Sequence, residues 1–221
     1  NMNGEGAFSV KGISIENLNL YIRKAHILKD IQAFFPANGI TGIIGVNGSG
    51  KSMLLKSICG FLRPTSGRIV LHGIDYYAKG RFPASLGFII ENPAFIESMS
   101  GLANLGHLAA IQSKISDHEI VDAILNVGLN PDDDRPVRKY SLGMKQRLGI
   151  AQAIMEKPDI LILDEPMNGL DRDAVQKMRI LFQNYKTAER TIVLTSHNAE
   201  DIKQLCDCVY EMRSGELHPT R

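Results

Sequence analysis

The sequence predicts an α/β fold: a mainly parallel sheet with flanking helices, antiparallel strands near the N-terminus, and an inserted helical subdomain. Three observations support this. Short runs that are apolar at consecutive positions, such as "GITGIIGV", "ILIL" and "TIVLT", alternate with stretches of helical periodicity. Strands buried on both faces read this way, and helices between them make the sheet parallel. A glycine-rich segment joins one such run to one such helix. Residues 93–157 then break the alternation, with several helical stretches and no convincing buried strand.

The elements follow in chain order. "GITGIIGV" (39–46) reads as a buried strand ending in glycine, and "KSMLLKSICGF" continues with helical spacing. "RPTSG" is a turn, "RIVLHG" the strand after it, and "LGFII" (86–90) a short strand stopped by "ENP". In "SDHEIVDAILNVG", Ser116 and Glu119 have capping-box spacing. Ile120, Ala123, Ile124 and Val127 share one apolar face, and Gly128 stops the helix. "DILILDEP" (159–166) and "TIVLTSH" (191–197) are buried strands. Between them Val175, Met178, Leu181, Phe182 and Tyr185 mark an amphipathic helix.

The 221 residues suit one domain, with the core formed by 1–92 and 158–221 and the helical subdomain by 93–157. At 44% hydrophobic and 22% charged the chain has the composition of a soluble globular protein. A formal net charge of +1 supplies no global field toward nucleic acid or membrane, so any basic site is local. The cysteines, Cys59, Cys206 and Cys208, are too few for a disulfide framework and point to a reducing compartment. Cys206-x-Cys208 lacks a second pair at ligand spacing and is read as core or surface. No stretch reaches the roughly 18 apolar residues that span a bilayer. The opening "NMNGEGAFSV" is polar and is not a signal peptide. Work at a membrane would need another chain to supply the span.

Gly45-x-x-x-x-Gly50-Lys51-Ser52, between a strand and a helix, matches the P-loop pattern and predicts a P-loop NTPase core. Bare backbone N–H groups curl round phosphate oxygens, and the helix start adds partial positive charge. Gly45, Asn47, Gly48, Ser49, Gly50, Lys51, Ser52 and Met53 form the expected nucleotide-binding stretch. Lys51 reaches the β- and γ-phosphates, and the Ser52 hydroxyl binds Mg²⁺. "ILILDEP" delivers Asp164 and Glu165 to a strand end, where successive side chains face opposite ways. Asp164 then supports the metal and Glu165 polarises water as general base. "TSH" places His197 just past another buried strand, within reach of a γ-phosphate or of Glu165.

"YSLGMKQRLGIAQAI" (140–154) supplies a second anion site: Ser141 is a good N-cap, Gly143 admits close backbone approach, and the helix start is positive. With this stretch the chain resembles the nucleotide-binding subunit of ABC transporters. "SLGMK" stands where that family has its signature. P-loop, Q-loop, signature, acidic strand, the D-loop "NGLD" (168–171) and the switch histidine follow in the family's order over nearly the whole chain. The resemblance implies two subunits closing head-to-tail over two ATPs. Ser141 and Gly143 then contact the γ-phosphate held by the partner's P-loop, and Asp171 lies at the seam.

Three departures stand out. Glu91, in "GFIIENPAF", replaces the usual glutamine; it accepts but cannot donate, yet is a hard ligand for Mg²⁺. With "YSLGMKQRLGIA" it resembles the subgroup that exports bacitracin or confers lantibiotic immunity. Met53 replaces a threonine, which is expected to weaken ATP binding by at most about 1 kcal/mol. The aromatic that stacks on adenine in the family aligns with Ile22, with Tyr21 beside it; a one-residue strand shift exchanges them. The resemblance implies an ATP-hydrolysing subunit peripheral to the cytoplasmic face of a membrane, powering export by separate permease subunits. The alternative is a soluble ATPase of the same type that remodels nucleic acid or ribosomes. It is disfavoured by a near-neutral charge and the lack of a second cassette, coiled-coil insertion or cluster region.

Overall fold

The computed structural model describes residues 11–83 and 85–220; the polar opening stretch 1–10 lies outside them. The chain begins with two long strands, β1 (Gly12–Ile22) and β2 (Ala25–Pro36), followed by β3 (Gly39–Ile44) and α1 (Lys51–Ile58). Then come β4 (Ser66–Leu71), β5 (Leu86–Ile89), α2 (Gly101–Gln112), α3 (Asp117–Asn126), a short 3₁₀ turn (Val137–Lys139) and α4 (Leu142–Ile154). The last third holds β6 (Ile160–Leu163), α5 (Arg172–Tyr185), β7 (Thr191–Thr195), α6 (Ala199–Leu205), β8 (Cys208–Arg213) and β9 (Glu216–Pro219).

The strands form two sheets. One is antiparallel, in the order β2-β1-β4; the other runs β5-β6-β7-β3-β8-β9 and is parallel except for its last pair. The antiparallel N-terminal strands therefore make a layer of their own. The hairpin β8–β9 has no counterpart in the apolar-run reading, because "CVYEMR" mixes buried and half-exposed residues. Its signal is the turn: Ser214 and Gly215 both have positive φ (48° and 91°), the combination that closes tight hairpins.

The central parallel strands β3, β6 and β7 are buried on both faces, and alternate residues join different cores. Ile40, Leu161, Leu163, Ile192 and Leu194 pack with α2–α5. Ile43, Ile160, Ile162 and Val193 pack with Leu54, Leu55 and Ile58 of α1 and with the antiparallel sheet. The parallel sheet is thus sandwiched, and its loops at the strand C-termini open along one edge. Among the described residues, 93–157 contain helices and no strand. At α3, the Glu119 carboxylate accepts from the Ser116 N–H (3.0 Å), which closes the first turn.

One close approach fixes how α4 sits on the sheet. A side chain at Gly87 in β5 would meet the Ala153 carbonyl oxygen at 1.9 Å and Pro158 Cγ at 2.7 Å. Only a hydrogen fits there, so α4 lies directly against β5 and its start projects beside the strand ends.

Candidate active site

The C-terminal ends of β3, β6 and β7 are neighbours in the parallel sheet, and each carries part of the site. Beyond β3 the chain turns through Gly45, Gly48 and Gly50, at φ 144°, 78° and 117°. Gly45 is held by close packing, since a Cβ there would meet the Met212 carbonyl at 2.4 Å. Gly48 has open space on its Cβ side and is required by its φ. The first turn of α1 has no side-chain cap: Gly50 is its N-cap residue and offers none. Its leading N–H groups are therefore available to an anion.

Lys51 lies across this loop. Its Nζ donates to the carbonyls of Gly45 (2.6 Å) and Val46 (3.2 Å). The residue is only 8% exposed, and among the described residues no carboxylate lies within ion-pairing distance. A buried ammonium facing neutral acceptors favours an anion beside it. The Ser49 hydroxyl, in a residue 4% exposed, has no hydrogen-bond partner among the described residues and sits in the same loop.

Beyond β6, Asp164 is 8% exposed and takes two hydroxyls: Ser52 Oγ donates to Oδ2 (2.7 Å) and Thr195 Oγ1 to Oδ1 (2.6 Å). The same Thr195 oxygen accepts from the Glu165 N–H (2.9 Å), so one hydroxyl of β7 locks the two successive residues just past β6. Glu165 is in the left-handed region, φ 49°, an uncommon conformation for a residue with a side chain. Its carboxylate turns to His197, accepting from the His197 N–H (3.3 Å) and lying 2.8 Å from Nδ1. The structure thus brings Asp164, Glu165, His197, Lys51 and Ser52 to one edge. A neutral imidazole donating from Nδ1 to Glu165 has only a lone pair at Nε2; donating to a phosphate as well requires the imidazolium.

Glu91 is at φ 61°, two residues beyond β5, and its carboxylate is ion-paired with Lys56, one turn along α1 from Ser52. Its side chain is 64% exposed. The backbone there is close to Asp164, whose N–H donates to the Ile89 carbonyl (2.7 Å), but the Glu91 side chain is turned to α1. Met53 packs partly against the core beneath the antiparallel sheet. Asn47 is exposed on the loop. Tyr21 stacks on His26, with ring centroids 4.0 Å apart and planes within 8°, and both Tyr21 and Ile22 are exposed at the β1–β2 hairpin. One Tyr21 face is occupied by His26.

Ser141 is the N-cap of α4 and accepts from the Met144 N–H (3.2 Å). Gly143 packs on the 167–170 turn, where a Cβ would meet the Gly169 carbonyl at 2.9 Å. Asp171 caps α5, accepting from the Ala174 N–H (2.8 Å). Two positions were not singled out from the sequence. Thr195 is one, although it stands in the quoted "TSH"; the other is Gln146, buried, whose amide donates to the carbonyls of Glu165 (3.3 Å) and Pro166 (3.1 Å). Gln146 ties α4 to the strand end that presents the acids. Nothing local in the sequence marks either contact, since each spans separate elements.

Comparison with known proteins identifies the family. The family model described as ABC transporter covers residues 28–168. The chain is 43% identical to an uncharacterised ABC transporter ATP-binding protein, YybJ, of Bacillus subtilis (strain 168), over 93% of this chain and 94% of that one. It is 34% identical to the lantibiotic transport ATP-binding protein SrtF of Streptococcus pyogenes, over 93% and 88% of the two chains. It is 35% identical to the bacitracin transport ATP-binding protein BcrA of Enterococcus faecalis, over 93% and 67%. The fold superposes on the solved ATP-binding subunit of an ABC transporter with a TM-score of 0.84 at 24% identity, covering 94% and 88% of the two chains. A dimeric ATP-binding cassette bound to ADP and Pi gives the same TM-score at 19% identity, covering 95% and 99%. With a glycine-rich loop, paired acids and a histidine at one sheet edge, and relatives of this kind along nearly its whole length, the chain belongs to the ABC transporter family as an ATP-binding, ATP-hydrolysing subunit.

Proposed function

We propose that this subunit drives export of an antimicrobial peptide by separate membrane permeases, hydrolysing ATP sandwiched between two copies of itself. One observation supports the chemistry above the others: the Ser52–Asp164 and His197–Glu165 contacts, at 2.7 and 2.8 Å, converge on the strand ends beside the glycine loop. In this reading the loop amides, the start of α1 and Lys51 hold the phosphates. Glu165 accepts a proton from the attacking water, and His197 keeps its carboxylate aimed. Ser52 and Asp164, hard oxygen donors already in contact, fit a Mg²⁺ ion, which would neutralise charge on the phosphate oxygens. Glu91 is proposed to join them only after leaving Lys56.

Ser141 and Gly143 of one copy would complete the site of the other, and Asp171 would lie at the seam. The dimeric cassette of the same fold supports this pairing. The helices within 93–157 form a proposed subdomain that carries the signature. No described helix is long and apolar enough to cross a membrane. Attachment at the inner face through permeases is therefore part of the proposal, with the groove at Glu91 and "NPAFIESMSG" as the contact. The export role rests on the bacitracin and lantibiotic transport relatives.

The test is Glu165→Gln. With saturating ATP and Mg²⁺ it should accumulate as a dimer on size-exclusion chromatography with light scattering. A monomer under those conditions rules out the sandwich. For the cargo, the membrane protein that co-purifies from the native host should, expressed together with this chain, raise the dose of bacitracin or a lantibiotic that cells survive.

A further inference from the structure

We propose that Arg179 and Asp201 are positioning residues for His197, acting through the Ser196 hydroxyl. Behind the switch histidine, two charged side chains are withdrawn from water. Asp201, in the first turn of α6, has 3% of its side chain exposed, and Arg179, on α5, has 12%. The guanidinium donates to Asp201 Oδ1 from Nε (3.0 Å) and Nη2 (2.6 Å), and from Nη1 to Gln204 Oε1 (2.8 Å). A pair this deep adds little net stability over apolar replacements, because desolvation offsets the attraction. What it supplies is a fixed relation between α5 and α6.

That relation reaches the histidine. The second Asp201 oxygen, Oδ2, accepts from Ser196 Oγ (3.2 Å), and Ser196 Oγ accepts from the Asn198 N–H (3.1 Å). One buried hydroxyl, 3% exposed, therefore anchors the residues on both sides of His197. His197 itself is 71% exposed at its side chain, and its hydrogen bonds run to Glu165. An exposed ring gains little order from packing, so beyond its contact with Glu165 its aim comes from the backbone that carries it. The chain Arg179–Asp201–Ser196 is what holds that backbone. It also links His197 to the helix that starts at Asp171.

This role presupposes the part given to His197 above, and the variants separate the two. Each is made in the full chain and assayed for steady-state ATP hydrolysis and for melting temperature. Arg179→Lys keeps the charge but loses the planar fork. Ser196→Ala leaves the ion pair intact and cuts its link to the histidine. Both should lower kcat by about tenfold to a hundredfold, the cost of a misplaced group. KM for ATP should stay within about twofold, since phosphate binding does not use these residues. In a His197→Ala background, Arg179→Lys should remove no more of the residual rate, as expected for residues acting in one unit. Wild-type kcat for Ser196→Ala beside a slow His197→Ala overturns the positioning role alone. So does a loss from Arg179→Lys that adds in full to that of His197→Ala, or one confined to melting temperature. Wild-type turnover by His197→Ala overturns the role of the histidine and this proposal together.

Discussion

Lys51, Thr195 and Glu91 show how much single residues decide here. Lys51 is a buried cation held by two carbonyls, so its removal should leave the fold and abolish nucleotide binding or turnover. Lys51→Ala is checked by equilibrium binding of ATP and by phosphate release; unchanged activity would remove the loop from the mechanism. Thr195 joins Asp164 to the Glu165 backbone through one hydroxyl. Thr195→Val keeps the volume and leaves both groups short of a partner, which costs about 1–3 kcal/mol of stability in a denaturant titration. Glu91 behaves differently. Its pair with Lys56 is exposed on the Glu91 side, and such surface pairs contribute about 0–1 kcal/mol. Glu91→Gln should therefore leave stability and ATP binding intact and change permease-stimulated hydrolysis. Identical stimulated rates would show the carboxylate to be inert.

At the scale of elements, the site depends on how α3 is closed and how α4 meets the sheet. Glu119 closes the first turn of α3, and its carboxyl is held down to about 2 from an ordinary 4.5. The hydrogen bond from Lys157 is the largest cause, followed by that from the Ser116 N–H. A lowered folded-state value means that this stabilisation is present in full above about pH 4.5 and is lost as pH falls toward 2. Glu119→Gln should flatten the pH dependence of stability across that acid window and leave it unchanged near neutrality, read from chemical denaturation at each pH. Gly87 sets the α4–β5 distance. Gly87→Ala forces a methyl into the Ala153 carbonyl, an overpacking that costs about 1–3 kcal/mol and pushes the last turn of α4 off the sheet. A melting temperature equal to wild type would mean that the helix slides without penalty.

For the whole molecule, the layered sheet brings the glycine loop, Lys51, Asp164, Glu165 and His197 to one edge, which faces outward. Leu142, within the "SLGMK" stretch, and Val46, within the glycine loop, are 65% and 76% exposed. Apolar residues left this open at functional loops suit a surface that is covered in the working state. The Glu165→Gln dimer is the prediction that belongs to this scale. Ser141 caps α4 within its own chain. Its proposed contact with the partner's nucleotide therefore uses the exposed helix start and not a side chain kept in reserve.

Much of this was legible in the residues. Doubly apolar runs gave β3, β6 and β7, because a strand covered on both faces has no polar positions to break the run. The glycine–lysine stretch gave the loop between β3 and α1, because few residue types permit its backbone. The capping spacing at Ser116 and Glu119 gave the start of α3. By contrast, β8 and β9 were not legible, since a half-exposed edge hairpin has a mixed pattern, and its turn was the sole local mark. The pairing of Glu91 with Lys56, the occupation of one Tyr21 face by His26, and the Thr195, Gln146 and Arg179–Asp201 contacts were decided by the tertiary structure alone. The reason is physical. The sequence determines what local backbone and burial require, whereas a hydrogen bond between distant elements exists only once sheet order and helix docking have set which side chains meet.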